Sequence, residues 1–366
     1  MARITLENIA HSYRPKPNGL DDYALKPLNH LWEHGGAYAL LGPSGCGKTT
    51  LLNVISGLVT PSQGRVLFDG NDVTLLPTEK RNIAQVFQFP VIYDTMTVYE
   101  NLAFPLKNRG VARHEIDRRV REVARMLDLE ASLARKAHGL TADAKQKISV
   151  GRGLVRVDVN AILFDEPLTV IDPHLKWQLR SQLKQLHHDL DITMVYVTHD
   201  QTEALTFADK VIVMFQGEVV QVGVPQELFE HPRHTFVGYF IGSPGMNVVP
   251  CTVEDGHAIV AGHRVAVKAA AARTPLQGKL EIGIRPEFIA LSGNGAGLPV
   301  RIRRVSDLGR YKIADVELRD VPLKVMVSER AVIDGDQARI VFDPLHLHLY
   351  ADGHIVEEPG FEGAPS

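Results

Sequence analysis

Gly42-Pro43-Ser44-Gly45-Cys46-Gly47-Lys48-Thr49 sets glycines, a lysine and a hydroxyl in the spacing G-x-x-x-x-G-K-[ST]. An apolar run, Ala37 to Leu41, leads into it and a helical run, Thr49 to Ser56, leads out. That strand–loop–helix context gives the motif its weight. Glycines let backbone N–H groups turn inward around phosphate oxygens, and a helix N-terminus adds partial positive charge. Lys48 is then placed to reach the β and γ phosphates of a nucleoside triphosphate, and Thr49 to ligate Mg²⁺. Ser44, Gly45, Cys46, Gly47 and Thr50 belong to the same turn. Cys46 reads first as a small packed side chain; a reactive thiol there would make the protein sensitive to alkylation.

Two further strand ends carry acid and base. Ala161-Ile162-Leu163-Phe164 runs apolar into Asp165-Glu166-Pro167, so both carboxylates emerge at the C-terminal edge of a sheet, where α/β folds place ligands. Alone, such a pair is more often a solvated turn. Beside the phosphate loop, Asp165 suits a magnesium shell and Glu166 suits activation of a water for attack on a γ-phosphate. A third strand ending Tyr196-Val197-Thr198 delivers His199 and Asp200 to the same edge, where a histidine can sense the γ-phosphate, although by itself a histidine at a strand end reads as structural. Gln88, after Ala84-Gln85-Val86-Phe87, reads by itself as a surface glutamine.

The elements that must position these groups alternate strand and helix, the grammar of an α/β domain with a parallel sheet. From about Pro105 to Leu140 the text turns helical, with Ile116, Val120, Val123 and Leu127 on one face of a charged segment. After about residue 240 short alternating runs such as Lys312 to Val327 and Ala338 to Leu349 read as a β-rich barrel or sandwich. The last residues, Gly360 to Ser366, read as a loose tail. Lys and Arg number 40 against 43 Asp and Glu, which leaves no cationic excess for nucleic acid. No run approaches the roughly 20 apolar residues that span a bilayer, and Met1 to Glu7 shows no signal segment. Cys46 and Cys251 have neither disulfide-framework nor zinc spacing.

The ordered set of phosphate loop, Gln88, Asp165-Glu166-Pro167, Asp172 and His199 resembles the nucleotide-binding subunits of ABC transporters. By that resemblance Tyr13 stacks on adenine, Gln88 is the Q-loop residue and touches Mg²⁺ together with Thr49 and Asp165, Asp172 lies in the D-loop, and His199 is the switch histidine. Catalysis then falls to Glu166 and His199, with ATP and Mg²⁺ as cofactors. The resemblance continues through Ile241-Gly242-Ser243-Pro244-Gly245-Met246-Asn247, Gly283 to Glu287 and Leu345 to Leu349, which look like the OB-like (TOBE/MOP-type) regulatory domain of maltose-transporter-type ATPases. It implies an ATPase domain over residues 1–240, with a helical subdomain inserted at about 89–158, and a C-terminal all-β domain over 241–366. It also implies a dimer on the cytoplasmic face of the inner membrane, peripheral to two membrane-spanning permease subunits and indirectly served by a periplasmic solute-binding protein. Coupling helices of the permease seat in a groove near Gln88 in such importers of sugars, polyols or glycerol.

One segment departs from the family pattern. The signature Leu-Ser-Gly-Gly-Gln is replaced by Leu140-Thr141-Ala142-Asp143-Ala144, while Gln146 to Leu154 keeps the family's helix and so fixes the register. Thr141 keeps a hydroxyl; Ala142 and Asp143 stand where glycine amides face the γ-phosphate bound by the opposite subunit. Asp143 sets negative charge near phosphate, although an acid also stabilises a helix N-terminus. Two identical chains would place the altered signature at both shared sites. Pairing with a different ABC ATPase leaves one site whole, so the sequence predicts a heterodimer in preference to a homodimer. The variant signature is similar to that of paired ATPases of glycerol importers. The alternatives are an ATP-binding regulatory subunit with little turnover, against which Glu166 and His199 argue, and a soluble ABC ATPase of repair or translation. The repair type needs long heptad arms that the stretch from Thr49 to Leu140 cannot supply, and the translation type needs a second phosphate loop.

Overall fold

The computed structural model describes residues 2–156, 158–169, 171–190, 192–267, 278–293, 295–331, 333 and 335–356. The tail expected from Gly360 onward lies outside the described residues. The chain divides into two compact units, Met1–Pro225 and Gln226–Ser366.

The first unit runs β1 (Ile4–His11), β2 (Leu25–Trp32), β3 (Ala37–Leu41), α1 (Lys48–Ser56), β4 (Gln63–Phe68), β5 (Asn71–Asp72), β6 (Ile83–Val86), α2 (Val98–Lys107), α3 (Arg113–Met126), α4 (Ala142–Leu154), β7 (Ala161–Asp165), α5 (Pro173–Leu190), β8 (Met194–Thr198), α6 (Gln201–Phe207), β9 (Lys210–Phe215) and β10 (Glu218–Gly223). A six-stranded sheet in the order β10-β9-β3-β8-β7-β6 forms its centre, parallel except for the β9–β10 hairpin. A four-stranded antiparallel sheet, β2-β1-β4-β5, shares its core, in which Trp32, Tyr38, Leu40, Leu51, Ile55, Val66 and Val195 pack together.

Every residue of β3, β7 and β8 is buried, which is why these strands read as unbroken apolar runs. Their register places the chemistry. Leu41 pairs with Thr198 and Asp165 with Val197, so the residues that follow, Gly42, Glu166 and His199, leave the sheet side by side at one edge. Val86 pairs with Phe164, which brings Gln88 out at the same edge.

Helices α2 to α4 are inserted between the adjacent strands β6 and β7. Helix α2 begins at Val98, well before Pro105, which sits inside it. Its start is set by a capping box: the Thr97 hydroxyl accepts Glu100 N–H at 3.1 Å, and the Glu100 carboxylate accepts Thr97 N–H at 2.8 Å. Helix α3 buries Ile116, Val120 and Val123, the stripe its periodicity predicts.

The second unit is dominated by antiparallel sheets. The largest has five strands, among them Leu298–Asp307, Tyr311–Leu318, Val321–Ser328 and Gln337–Phe342. Alternation along Gln337–Phe342 turns Ala338, Ile340 and Phe342 inward onto a core with Ile282, Ile302, Val316 and Leu323. A short helix, Thr235–Phe240, belongs to this unit; Thr235 N–H donates to Gly353 O, and Arg285 Nε donates to Phe229 O at 2.6 Å.

Candidate functional site

The loop after β3 is shaped by backbone that only glycine adopts readily. Gly45 has φ +81° and Gly47 φ +101°, and Gly47 is the N-cap of α1. A Cβ on Gly42 would lie 2.3 Å from Met214 O, and one on Gly47 2.4 Å from Ala24 O. Lys48 is buried, and its ammonium donates to Gly42 O at 2.8 Å and to Pro43 O at 3.0 Å. Neutral carbonyls are weaker partners for an ammonium than phosphate oxygens, so these are contacts Lys48 can exchange. Cys46 is buried, and burial pushes its thiol up more than the Lys48 charge pulls it down. That leaves little thiolate and favours the packing reading of Cys46.

Thr49 Oγ1 donates to Asp165 Oδ1 at 3.1 Å, joining the start of α1 to the end of β7. Burial pushes the Asp165 carboxyl up; the Thr49 hydroxyl pulls it back, Glu166 raises it and Lys48 lowers it. Glu166 has φ +46°, a strained conformation for a residue with a side chain. Its backbone N–H is tied to Val197 O at 3.0 Å. The carboxylate lies 3.1 Å from His199 Nδ1 and accepts the Thr169 hydroxyl at 3.3 Å.

Tyr13 leaves the end of β1 with its ring largely exposed, at 64%. Its hydroxyl lies 3.2 Å from Thr50 Oγ1 on α1, and its ring meets His11 edge-on at 4.6 Å. A flat exposed ring anchored to the helix that follows the phosphate loop suits stacking by a base. Gln88 is half-buried two residues beyond β6, and Asp172 is exposed just before α5.

The Thr141 segment lies at the start of α4. Thr141 is the N-cap and its hydroxyl accepts Ala144 N–H at 3.3 Å. Asp143 sits in the first turn, where the helix dipole favours a negative charge. Its Oδ1 is nevertheless closed off from solvent and accepts no hydrogen bond from the described residues.

The structure also shows groups that the sequence reading missed. Glu203 is buried and accepts the Tyr196 hydroxyl at 3.0 Å and the Thr198 hydroxyl at 2.9 Å; Lys176 Nζ lies 3.4 Å from its other oxygen. It fixes the end of the strand that carries His199. Burial, and then the Glu203 charge, push the Tyr196 phenol well above its ordinary value, so this hydroxyl stays a donor. Asp200 caps α6 by accepting Thr202 N–H at 2.7 Å.

Comparison with known proteins gives this site its family. Residues 25–169 match the family model described as ABC transporter, and residues 242–289 match the one described as MalK OB fold domain. A Rhizobium johnstonii protein named sn-glycerol-3-phosphate import ATP-binding protein UgpC 1 is 38% identical, with 100% of this chain and 99% of that protein covered. The chain belongs to the ATP-binding subunits of ABC transporters. A second relative of the same function name, from Paracoccus denitrificans, is 37% identical over 96% of this chain and 97% of its own length. Among solved structures, cbiO1 from Clostridium perfringens, part of the ABC transporter complex cbiONQ, superposes with a TM-score of 0.56 at 27% identity, over 62% of this chain and 90% of that one. An ATP-binding cassette solved as a dimer in a post-hydrolysis state with ADP and Pi gives 0.55 at 28% identity, over 61% and 98%.

The fold is therefore an ABC ATPase joined to a C-terminal OB-type β domain, and the chain is an ABC transport ATPase. The glycine-shaped loop at Gly42 to Thr49 and the Lys48 ammonium bonded to its carbonyls fit a nucleoside triphosphate. No described helix is long and apolar enough to cross a membrane.

Proposed function

We propose that this ABC ATPase powers import of a small carbohydrate-type solute, a sugar, a polyol, glycerol or its phosphate. The observation that carries this is likeness along nearly the whole chain, β-rich unit included, to proteins named for sn-glycerol-3-phosphate import. In this reading residues 1–240 contain the ATPase machinery, and 241–366 the regulatory β domain. The chain lies peripherally on the cytoplasmic face of the inner membrane, beneath two permease subunits served by a periplasmic solute-binding protein. Loss of glycerol and sn-glycerol-3-phosphate uptake on deletion of the gene, restored by the wild-type gene and not by Glu166→Gln, is the expected result. Uptake of both, and of simple sugars, unchanged by the deletion would overturn it.

Within the site, Tyr13 stacks on adenine and the Gly42–Thr50 turn binds the phosphates. The oxygen donors of Thr49, Asp165 and Gln88 suit Mg²⁺, a hard cation that neutralises charge on the phosphates when bound. Water adds to the γ-phosphorus, the bond to the bridging oxygen breaks, and the water's proton passes to Glu166. His199 Nδ1, 3.1 Å from that carboxylate, orients it. Thr141, Ala142, Asp143 and Asp172 border the nucleotide of the opposite subunit.

That last assignment supports a heterodimer. Asp143, half-buried in the first turn of α4, would set negative charge near that nucleotide's phosphate oxygens where the family has a glycine amide. A second, different ABC ATPase with glycines at these positions would complete one competent site with this chain's phosphate loop, Glu166 and His199.

A further inference from the structure

Gln146, fully buried in the second turn of α4, donates through Nε2 to Phe87 O at 3.2 Å and to Pro167 O at 2.8 Å. Phe87 immediately precedes Gln88 and Pro167 immediately follows Glu166. One amide thus ties the signature helix to both the Gln88 turn and the carboxylate turn. Its Oε1 is buried and accepts nothing from the described residues, a cost that an apolar side chain of equal size would not carry.

The same face of α4 continues the grip. Lys145 Nζ pairs with Asp94 Oδ1 at 2.8 Å, and Ser149 Oγ accepts Val91 N–H at 3.4 Å. Arg152 donates to Val91 O and lies 4.8 Å over the Tyr93 ring. Positions 145, 149 and 152 follow the four- and three-residue steps of one helix face. From the other side Asn101 accepts Tyr93 N–H at 2.8 Å and donates to Tyr93 O at 3.0 Å. The gripped segment still presents Phe89 and Val91 outward, 69% and 52% exposed.

We propose that Gln146, with the Lys145–Asp94 pair and Arg152, is the positioning device through which a push on residues 89–94 reaches Glu166 in the same chain. The inference rests on the importer reading above, which supplies the permease that pushes. Movement of α4 shifts Pro167 through the Gln146 amide, and the adjoining Glu166 sits at a strained φ of +46°, where a small displacement re-aims the carboxylate. Gln146 is fully buried and acts through the turn.

The test is ATP hydrolysis by the whole transporter in proteoliposomes with its solute-binding protein, with and without glycerol or sn-glycerol 3-phosphate. Gln146→Met keeps the volume and loses both donations. It is expected to leave KM for ATP unchanged and lower solute-stimulated kcat on the order of tenfold, equivalent to 1.4 kcal/mol. Asp94→Lys and Lys145→Asp should each cut stimulation roughly threefold, as suits a partly exposed pair, with basal hydrolysis unchanged. The Asp94→Lys/Lys145→Asp exchange should restore it. A Gln146→Met protein that loses only thermal stability, or an exchange that restores nothing, overturns the inference. A wild-type transporter stimulated by neither solute overturns the importer reading, and the inference with it.

Discussion

The sheet edge and the start of α4 are built differently. At the edge Lys48 is tied to loop carbonyls, Thr49 to Asp165, and Glu166 to His199 and Thr169. At α4 the helix is capped by Thr141, yet the buried Oδ1 of Asp143 accepts no hydrogen bond from the described residues. In the function proposed above, the chain keeps the machinery for cleaving its own nucleotide and offers an altered surface to another's, which is the reason an unlike partner is proposed.

The largest test of that contrast is Glu166→Gln. Removal of a general base is expected to lower hydrolysis by ~10²–10⁴-fold while ATP still binds, as read by steady-state turnover and nucleotide titration. Comparable turnover in the variant would show that the edge is not where the chemistry lies.

A change at the other end should act in the opposite sense. Asp143→Gly removes the carboxylate proposed to face the opposite nucleotide and should raise hydrolysis by the isolated chain about tenfold, the effect of relieving roughly 1.4 kcal/mol of like-charge repulsion. It should also cost about 0.3–1 kcal/mol by loss of the acid from the first turn of α4. Hydrolysis unchanged by the substitution would leave the α4 end as competent as the edge.

Asp165 separates binding from stability. Burial raises its carboxyl in the folded protein, so ionisation is harder there than in the unfolded chain. Its contribution to stability is therefore greatest in acid and is lost as pH rises from the ordinary carboxylate range through the raised folded value. Asp165→Asn should raise the ligand-free Tm by a few degrees at neutral pH, with the gain vanishing below the carboxylate range. The same variant should lose Mg²⁺-dependent ATP binding. A Tm gain that persisted in acid would refute the assignment to charge burial.

The smallest effect belongs to the cap. Thr141→Ala should cost about 1 kcal/mol by loss of the hydroxyl that receives Ala144 N–H, and Thr141→Ser should recover most of it. Denaturant midpoints measure both.

The edge was legible because each of its groups follows a short, wholly apolar strand, and such strands fix where the next residue emerges. The P-loop spacing, Asp165-Glu166 and His199 needed nothing more. Helix α2 began earlier than its composition suggested, although Thr97-Val98-Tyr99-Glu100 spelled its capping box. Glu203 and Gln146 gave no sequence signal, since each acts only through partners brought together by tertiary packing. Arg81 is of the same kind: nearly fully buried, it donates to the carbonyls of Val54 and Ile55 at the end of α1 and to those of Thr74 and Leu76. In the second unit alternation revealed strands, while pairing such as Ile289 with Phe342 depends on contacts too distant along the chain to read.

The most direct measurement is steady-state ATP hydrolysis by the purified chain alone and mixed with a second ABC ATPase whose signature is unaltered, with Glu166→Gln as control. Little turnover is expected from the chain alone, clear turnover from the mixture, and its loss when Glu166→Gln replaces the wild-type chain. Equal turnover by the chain alone would mean that Asp143 is tolerated at the shared site and that no unlike partner is needed.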